Sequence, residues 1–234
     1  VTGDLLMRSF KYLGNEGRIY LDLLPSRSVN MRLLSSYQYK IYYDERTLDP
    51  LDHGNLEVNY TLDIKPGREH ELSMDTSVLD RQYANYHALD ANGKYDRTNP
   101  LRHFRYYQAS LDYNWKPARG FRINPELTVK RRLDLFEHYY SYLSYGGGLR
   151  LRYMSGRFYI SVYGDYNRVN YDVREAFTSQ MEDPKLVYDY LDYTLLFKLD
   201  LSDQWELSLR ASSDTRDSNT DLDYFKTRRG YRNY

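Results

Sequence analysis

LRLRYMSGRFYISVYGDY, residues 149–166, decides the fold. On its first arm Leu149, Leu151 and Tyr153 alternate with Arg150 and Arg152. On its second, Phe158, Ile160, Val162, Gly164 and Tyr166 alternate with Tyr159, Ser161, Tyr163 and Asp165. Period two marks a strand, because successive side chains of an extended backbone point to opposite faces. The short, glycine-containing Met154-Ser155-Gly156-Arg157 between the arms predicts an antiparallel hairpin with one apolar and one ionic face.

Working outward, the same design recurs. Ile19, Leu21 and Leu23 precede a turn at Pro25-Ser26-Arg27-Ser28, and Val29, Met31, Leu33, Tyr37, Tyr39 and Ile41 then share one face of a strand ending near Tyr43. Leu56 to Ile64 and Leu72 to Val78 flank Lys65-Pro66-Gly67-Arg68. Tyr107 to Trp115 and Phe121 to Val129 flank a turn at Lys116–Gly120. Leu191 to Leu199 and Trp205 to Ala211 flank Ser202-Asp203-Gln204. Pro125 is out of place in its strand because proline lacks a ladder donor. Leu5 to Tyr12 is a weaker strand candidate, followed by a turn-like Gly14-Asn15-Glu16-Gly17. Polar connections are expected at 44–55, 84–102, 134–138 and 171–187, and 212–230 reads as loop.

Short turns therefore alternate with long connections. Unrelated hairpins have no reason to keep that parity, whereas a transmembrane barrel has short periplasmic turns and long extracellular loops. Composition fits. Of 234 residues 28 are tyrosine, a side chain suited to strands and to half-wet surfaces such as membrane interfaces. Lys plus Arg and Asp plus Glu both total 33, so charge gives no case for a nucleic-acid partner. The absence of cysteine excludes disulfides and thiolate metal sites. No run approaches the roughly 18 apolar residues of a membrane-spanning helix, but a barrel strand turns only every second residue to lipid. The chain begins at Val1, as a processed or trimmed product would.

Strand length, parity and aromatic placement resemble those of bacterial outer-membrane β-barrel proteins. The resemblance implies a single all-β domain over residues 1–234, an antiparallel up-and-down transmembrane barrel of about 12 strands, eleven of which can be drafted. Barrels of that size resemble small monomeric porins. Such barrels usually end in an amphipathic strand with a terminal aromatic. Tyr234 supplies the aromatic without the strand, so either the closing strand is missing from this sequence or the chain belongs to a larger barrel.

In such a barrel Tyr43, Tyr107, Trp115, Phe121, Tyr153, Phe158 and Trp205 form the membrane girdles. The opposite register lines the lumen: Arg32, Lys40, Glu57, Asp63, Glu71, Asp75, Asp112, Arg122, Glu126, Lys130, Arg150, Arg152, Asp165, Lys198, Glu206 and Arg210. Acidic residues of three consecutive strands followed by basic residues of the next two suggest a field across the pore, with Arg150 and Arg152 as anion contacts. The opposing reading is that these charges pair and rigidify a plugged barrel.

No enzyme is expected. The five histidines show no metal-ligand spacing, and His87 with Asp90 and Glu137 with His138 are the only acid–base pairs of note. Asp90 to Asp96 resembles the start of a calcium loop but has Leu101 where the bidentate Glu belongs, and reads as a loop tip without metal. Gly146-Gly147-Gly148 lies on a strand, where it permits a bend or a close backbone approach. No cofactor is expected.

The leading functional expectation is an outer-membrane channel for small hydrophilic solutes, such as oligosaccharides or organic anions, with membrane lipid as its other partner. The alternatives are a barrel scaffold holding a protein partner or electron carrier in its lumen, and a soluble extracellular β-sheet or filament protein.

Overall fold

The structure, a computed structural model, describes residues 12–42, 52–176, 184–202 and 204–220. These form one antiparallel sheet of ten strands in chain order: β1 (Tyr12–Ser26), β2 (Val29–Tyr42), β3 (His53–Ile64), β4 (His70–His87), β5 (Leu101–Ala118), β6 (Phe121–Asp134), β7 (Tyr142–Ser155), β8 (Phe158–Glu175), β9 (Lys185–Ser202) and β10 (Trp205–Ser218). Each pairs only with its neighbours in sequence, so every short turn lies at one end of the sheet and every long connection at the other. Among the described residues there is no helix, and β1 does not pair with β10. The ten strands compare with the expected twelve or so; the candidate segments 5–11 and 231–234 lie outside the described residues.

The hairpin that decides the fold forms as read, with Leu149 opposite Gly164, Leu151 opposite Val162, and a turn at Gly156-Arg157. Several strands run further than the alternation suggests. β4 reaches His87, β5 begins at Leu101, β8 reaches Glu175, β9 begins at Lys185, and residues 212–218, read as loop, complete β10. The reason is local. At the long-connection end the face that is apolar elsewhere carries Asp80, His103, Arg105, Arg168, Asp189, Thr215 and Asp217, so the alternation fades while the ladder continues. Gly14-Asn15-Glu16-Gly17 is likewise not a turn. It pairs with Lys40 to Tyr37 of β2, and tertiary pairing overrides its local preference.

Pro125 sits where the β5–β6 ladder skips Tyr113 and Asn114 between Asp112–Glu126 and Trp115–Ile123, as its missing N–H requires. The glycine triplet does bring backbones close. A Cβ on Gly146 would lie 2.3 Å from the Tyr166 carbonyl oxygen, and one on Gly148 would lie 2.7 Å from Glu126 Oε1. Over the bare Gly148, Tyr163 of β8 reaches across β7 to donate a 2.5 Å hydrogen bond to Glu126 of β6.

Within the apolar band burial is inverted relative to a water-soluble sheet. Ile19, Leu127, Leu209 and Trp205 are 78%, 61%, 60% and 71% exposed, and the buried positions include Ser36, Asn55, Arg102, Asp134 and Ser144; the buried apolar residues, Ala88, Phe104, Ala176, Leu186 and Tyr188, gather toward the long connections. Each strand among the described residues contacts only its sheet neighbours, so no second layer covers the ionic face.

Candidate functional site: an ionic face backed by an apolar band

The pairing register assigns every residue to a face. Arg32, Lys40, Glu57, Asp63, Glu71, Asp75, Asp112, Arg122, Glu126, Lys130, Arg150, Arg152, Asp165, Lys198, Glu206 and Arg210 all fall on one face. Tyr107, Trp115, Phe121, Tyr153 and Phe158 fall on the other; Trp205 opens β10 beside a register shift, and Tyr43 lies outside the described residues. Along the short-turn end the aromatic rings touch in series, with centroids 6.3 Å apart for Phe121–Tyr153, 6.1 Å for Tyr153–Phe158 and 5.3 Å for Phe158–Phe197.

The apolar face carries a continuous band. It covers nine residues on β3 (Leu56–Ile64), β5 (Tyr107–Trp115), β6 (Phe121–Val129) and β8 (Phe158–Tyr166), nine with one further leucine on β7 (Tyr145–Tyr153, Leu143 beyond) and β9 (Leu191–Leu199, Leu201 beyond), and seven on β4 (Leu72–Val78). Charge begins directly beyond the long-connection edge on most of these strands. Asp80 there accepts from His103 and Arg105, and Arg131 bonds Asp172.

The band also slides relative to the ladder. Ile64 aligns through Leu72 with Tyr113, two residues above Trp115. Trp115 aligns through Ile123 with Leu151, two residues above Tyr153, and Tyr153 aligns through Ile160 with Phe197, two residues above Leu199. The slip is one residue per strand. With about 3.3 Å of rise per residue and about 4.8 Å between strands, a flat slab produces it when the strands tilt by roughly 35° to the slab normal.

On the ionic face one level is acidic across the sheet. Asp63, Asp112, Glu126, Asp165, Asp192 and Asp214 occupy one cross-strand row from β3 to β10, joined through Ser73 and Gly148. The row crosses both the acidic strands β3–β5 and the basic strands β6–β7 of the expected field. Among the described residues none of the six forms an ion pair; Asp63 accepts from Ser73 and Asn30, and Glu126 from Tyr163. Like charges placed opposite one another across strands repel; Asp192 and Asp214 relieve this by a side-chain hydrogen bond between them, and hydration or mobile counter-ions can offset the remainder.

The ion pairs of this face lie elsewhere: Arg32 with Asp22 at 2.6 Å, Lys65 with Glu71 at 2.6 Å and Lys198 with Glu206 at 3.0 Å, near the short turns, and Arg18 with Glu16 at 2.7 Å on β1. Toward the long connections the cations stack on rings instead. Arg102 lies 3.9 Å from the Tyr86 ring and 4.7 Å from Tyr140, Arg132 4.4 Å from Tyr142, and Arg216 4.1 Å from Tyr188.

The sequence did not single out Arg102 or Asp134 because both lie beyond the alternating band. Asp134, with no exposed surface, accepts backbone N–H bonds from Phe136 and Tyr140 and so anchors the 135–141 connection. That connection meets the loop at 88–100 through the Ala91 N–H, which donates to Glu137 at 2.6 Å. Asp90 folds its own loop by accepting from the Asn92 and Lys94 N–H groups, as a loop tip does. His87 bonds the Asn99 carbonyl and His138 the Ser141 hydroxyl, so neither acid–base pair noted in the sequence is assembled. In the same loop, the Thr98 N–H and hydroxyl both donate to Asp96 and hold its carboxyl below the usual range. No group of three or more His, Asp or Glu among the described residues is placed to hold a metal ion. No helix there is long and apolar enough to cross a membrane, which says nothing of strands.

No protein-family model and no curated protein matches this chain.

Proposed function

We propose that the sheet is the wall of a bacterial outer-membrane β-barrel that passes small hydrophilic solutes along its ionic face. The observation that carries this reading is the sliding apolar band, about nine residues wide on most of the central strands. A strand crosses a bilayer in about 9–11 residues and barrel strands tilt by about 35–45°. Eight steps of about 3.3 Å at a tilt of roughly 35° span about 22 Å, close to the roughly 25 Å apolar belt of such barrels. A water-soluble sheet has no reason to shift its apolar stretch step by step against the register. In this reading the short turns are periplasmic and the long connections extracellular.

The unpaired row of carboxylates favours a water-filled passage over a plugged one. A dry lumen would require those charges to be neutralised or paired, whereas water and mobile cations satisfy them at little cost. The test is single-channel recording of the folded protein in planar bilayers. Discrete openings with a preference for cations are expected; folded, inserted protein without openings refutes the passage.

Among the described residues the outer edges of β1 and β10 are unpaired, which favours a second reading, in which these ten strands are one arc of a wall that further strands or another chain complete. Edge strands this long seek partners. A native mass measurement in detergent separates a lone chain from an assembly.

A further inference from the structure

A cleft of about 510 Å³ at the short-turn end is lined by Lys116, Arg119, Arg122, Arg152 and Tyr159, with Glu69 as its one carboxylate. Arg122 and Arg152 stand directly opposite each other on β6 and β7, a repulsive cross-strand pair. Arg152 donates from Nη2 to Asn124 at 3.0 Å, but its Nε is buried without a hydrogen-bond partner. Of the neighbouring carboxylates, Glu71 is taken by Lys65 and Glu206 by Lys198, and Asp200 lies across the sheet beside the β9–β10 turn. None of the four cations forms an ion pair among the described residues. The cleft is also firmly built. Gly120 has φ +79° and a Cβ there would lie 2.0 Å from the Met154 carbonyl oxygen, while the Met154 N–H donates to Gly120 at 2.8 Å.

We propose that this cleft binds the oxyanion group, carboxylate, phosphate or sulfate, of a small solute. Four cations line the cleft against a single carboxylate, Glu69, which leaves a net positive site, and two arginines on facing positions of β6 and β7 can offer paired donors to the oxygens of an oxyanion. The volume leaves room for a body larger than the anion itself, and the Tyr159 ring supplies one wall for it. The inference rests on the channel reading for the route by which solute arrives, not for the binding chemistry.

The test is calorimetric titration of the full chain in detergent at low ionic strength with inorganic phosphate, and with chloride at matched ionic strength. Saturable phosphate binding that chloride does not reproduce is expected, weakened at least about tenfold by Arg152→Gln and less by Arg152→Lys. Arg122→Gln carries a second signature. Relief of the repulsion raises the unfolding temperature in phosphate-free buffer, while the stabilisation by phosphate disappears. Control Arg210→Gln, elsewhere on the ionic face, leaves binding within about twofold. Absence of phosphate binding to folded protein, or equal loss in the control, overturns the site. Binding without conductance defeats the channel and leaves the site standing; conductance without binding does the reverse.

Discussion

Leu195→Arg places a charge at the middle of the apolar band, four residues from either edge of the β9 segment Leu191–Leu199. Leu195 is 44% exposed and has no apolar layer above it among the described residues, so in water an arginine there costs almost nothing. In a bilayer the same substitution costs about 2–4 kcal/mol at the midplane, falling to about 0–1 kcal/mol near an interface. At 1.4 kcal/mol per decade, that is a loss of roughly 30- to 700-fold in the folding equilibrium. Leu199→Arg, at the band edge, should stay within about 1 kcal/mol, and Thr194→Arg, one residue away on the ionic face, should be near neutral. The assay is reversible urea unfolding from phosphatidylcholine vesicles, followed by the fluorescence of Trp115 and Trp205. A depth-ordered loss, Leu195 well above Leu199 and Thr194, is expected. Equal and small effects at all three positions would refute the assignment of this face to lipid.

Gly120→Ala forces an L side chain into positive φ and against the Met154 carbonyl, so a loss of about 1–3 kcal/mol is expected in the same unfolding assay; an unchanged midpoint refutes it. Tyr163→Phe leaves Glu126 without its 2.5 Å donor and should destabilise by about 1–3 kcal/mol, with Tyr159→Phe as a weaker control. Neutralising the carboxylate row, as Asp112→Asn with Asp165→Asn, should shift the reversal potential in a salt gradient toward the anion side; no shift would place the row outside the ion path. Asp96 has a folded-state pKa below its ordinary 3.8, so its contribution to loop order is complete above that value and is lost as pH falls below it. Hydrogen exchange at the Thr98 amide should quicken over that acid range in the native protein and already be fast at neutral pH in Asp96→Asn.

Much of the fold was legible because alternation is a strong signal wherever one face is apolar and the other ionic. Within the band, the hairpin at residues 149–166, the turns near Arg27, Gly120 and Gly156, and the face assignment of all sixteen ionic residues agree with the ladder. Outside the band both faces are polar, so the extensions of β4, β8 and β10 carried no period to read; the ladder of β10 continues regularly to Ser218, while those of β4 and β8 pass a register shift after Gln82 and Asn170. The carboxylate row was hidden for another reason. A row runs across strands, and Asp112, Glu126, Asp165 and Asp192 become neighbours only once each register is fixed. Reading charges in chain order grouped them by strand and suggested opposing walls. The short-turn cleft was half visible, through Arg122 and Arg152, while Lys116 and Arg119 looked like ordinary turn residues.

The most direct test of the account is depth-resolved quenching of tryptophan by brominated lipids, with single tryptophans placed at 191, 195 and 199 and at the ionic-face position 194 in an otherwise tryptophan-free chain. The account predicts strongest quenching of 195 by bromines near the bilayer centre, of 191 and 199 by bromines near the headgroups, and little quenching of 194 at any depth. Equal or absent quenching along 191, 195 and 199 would contradict it.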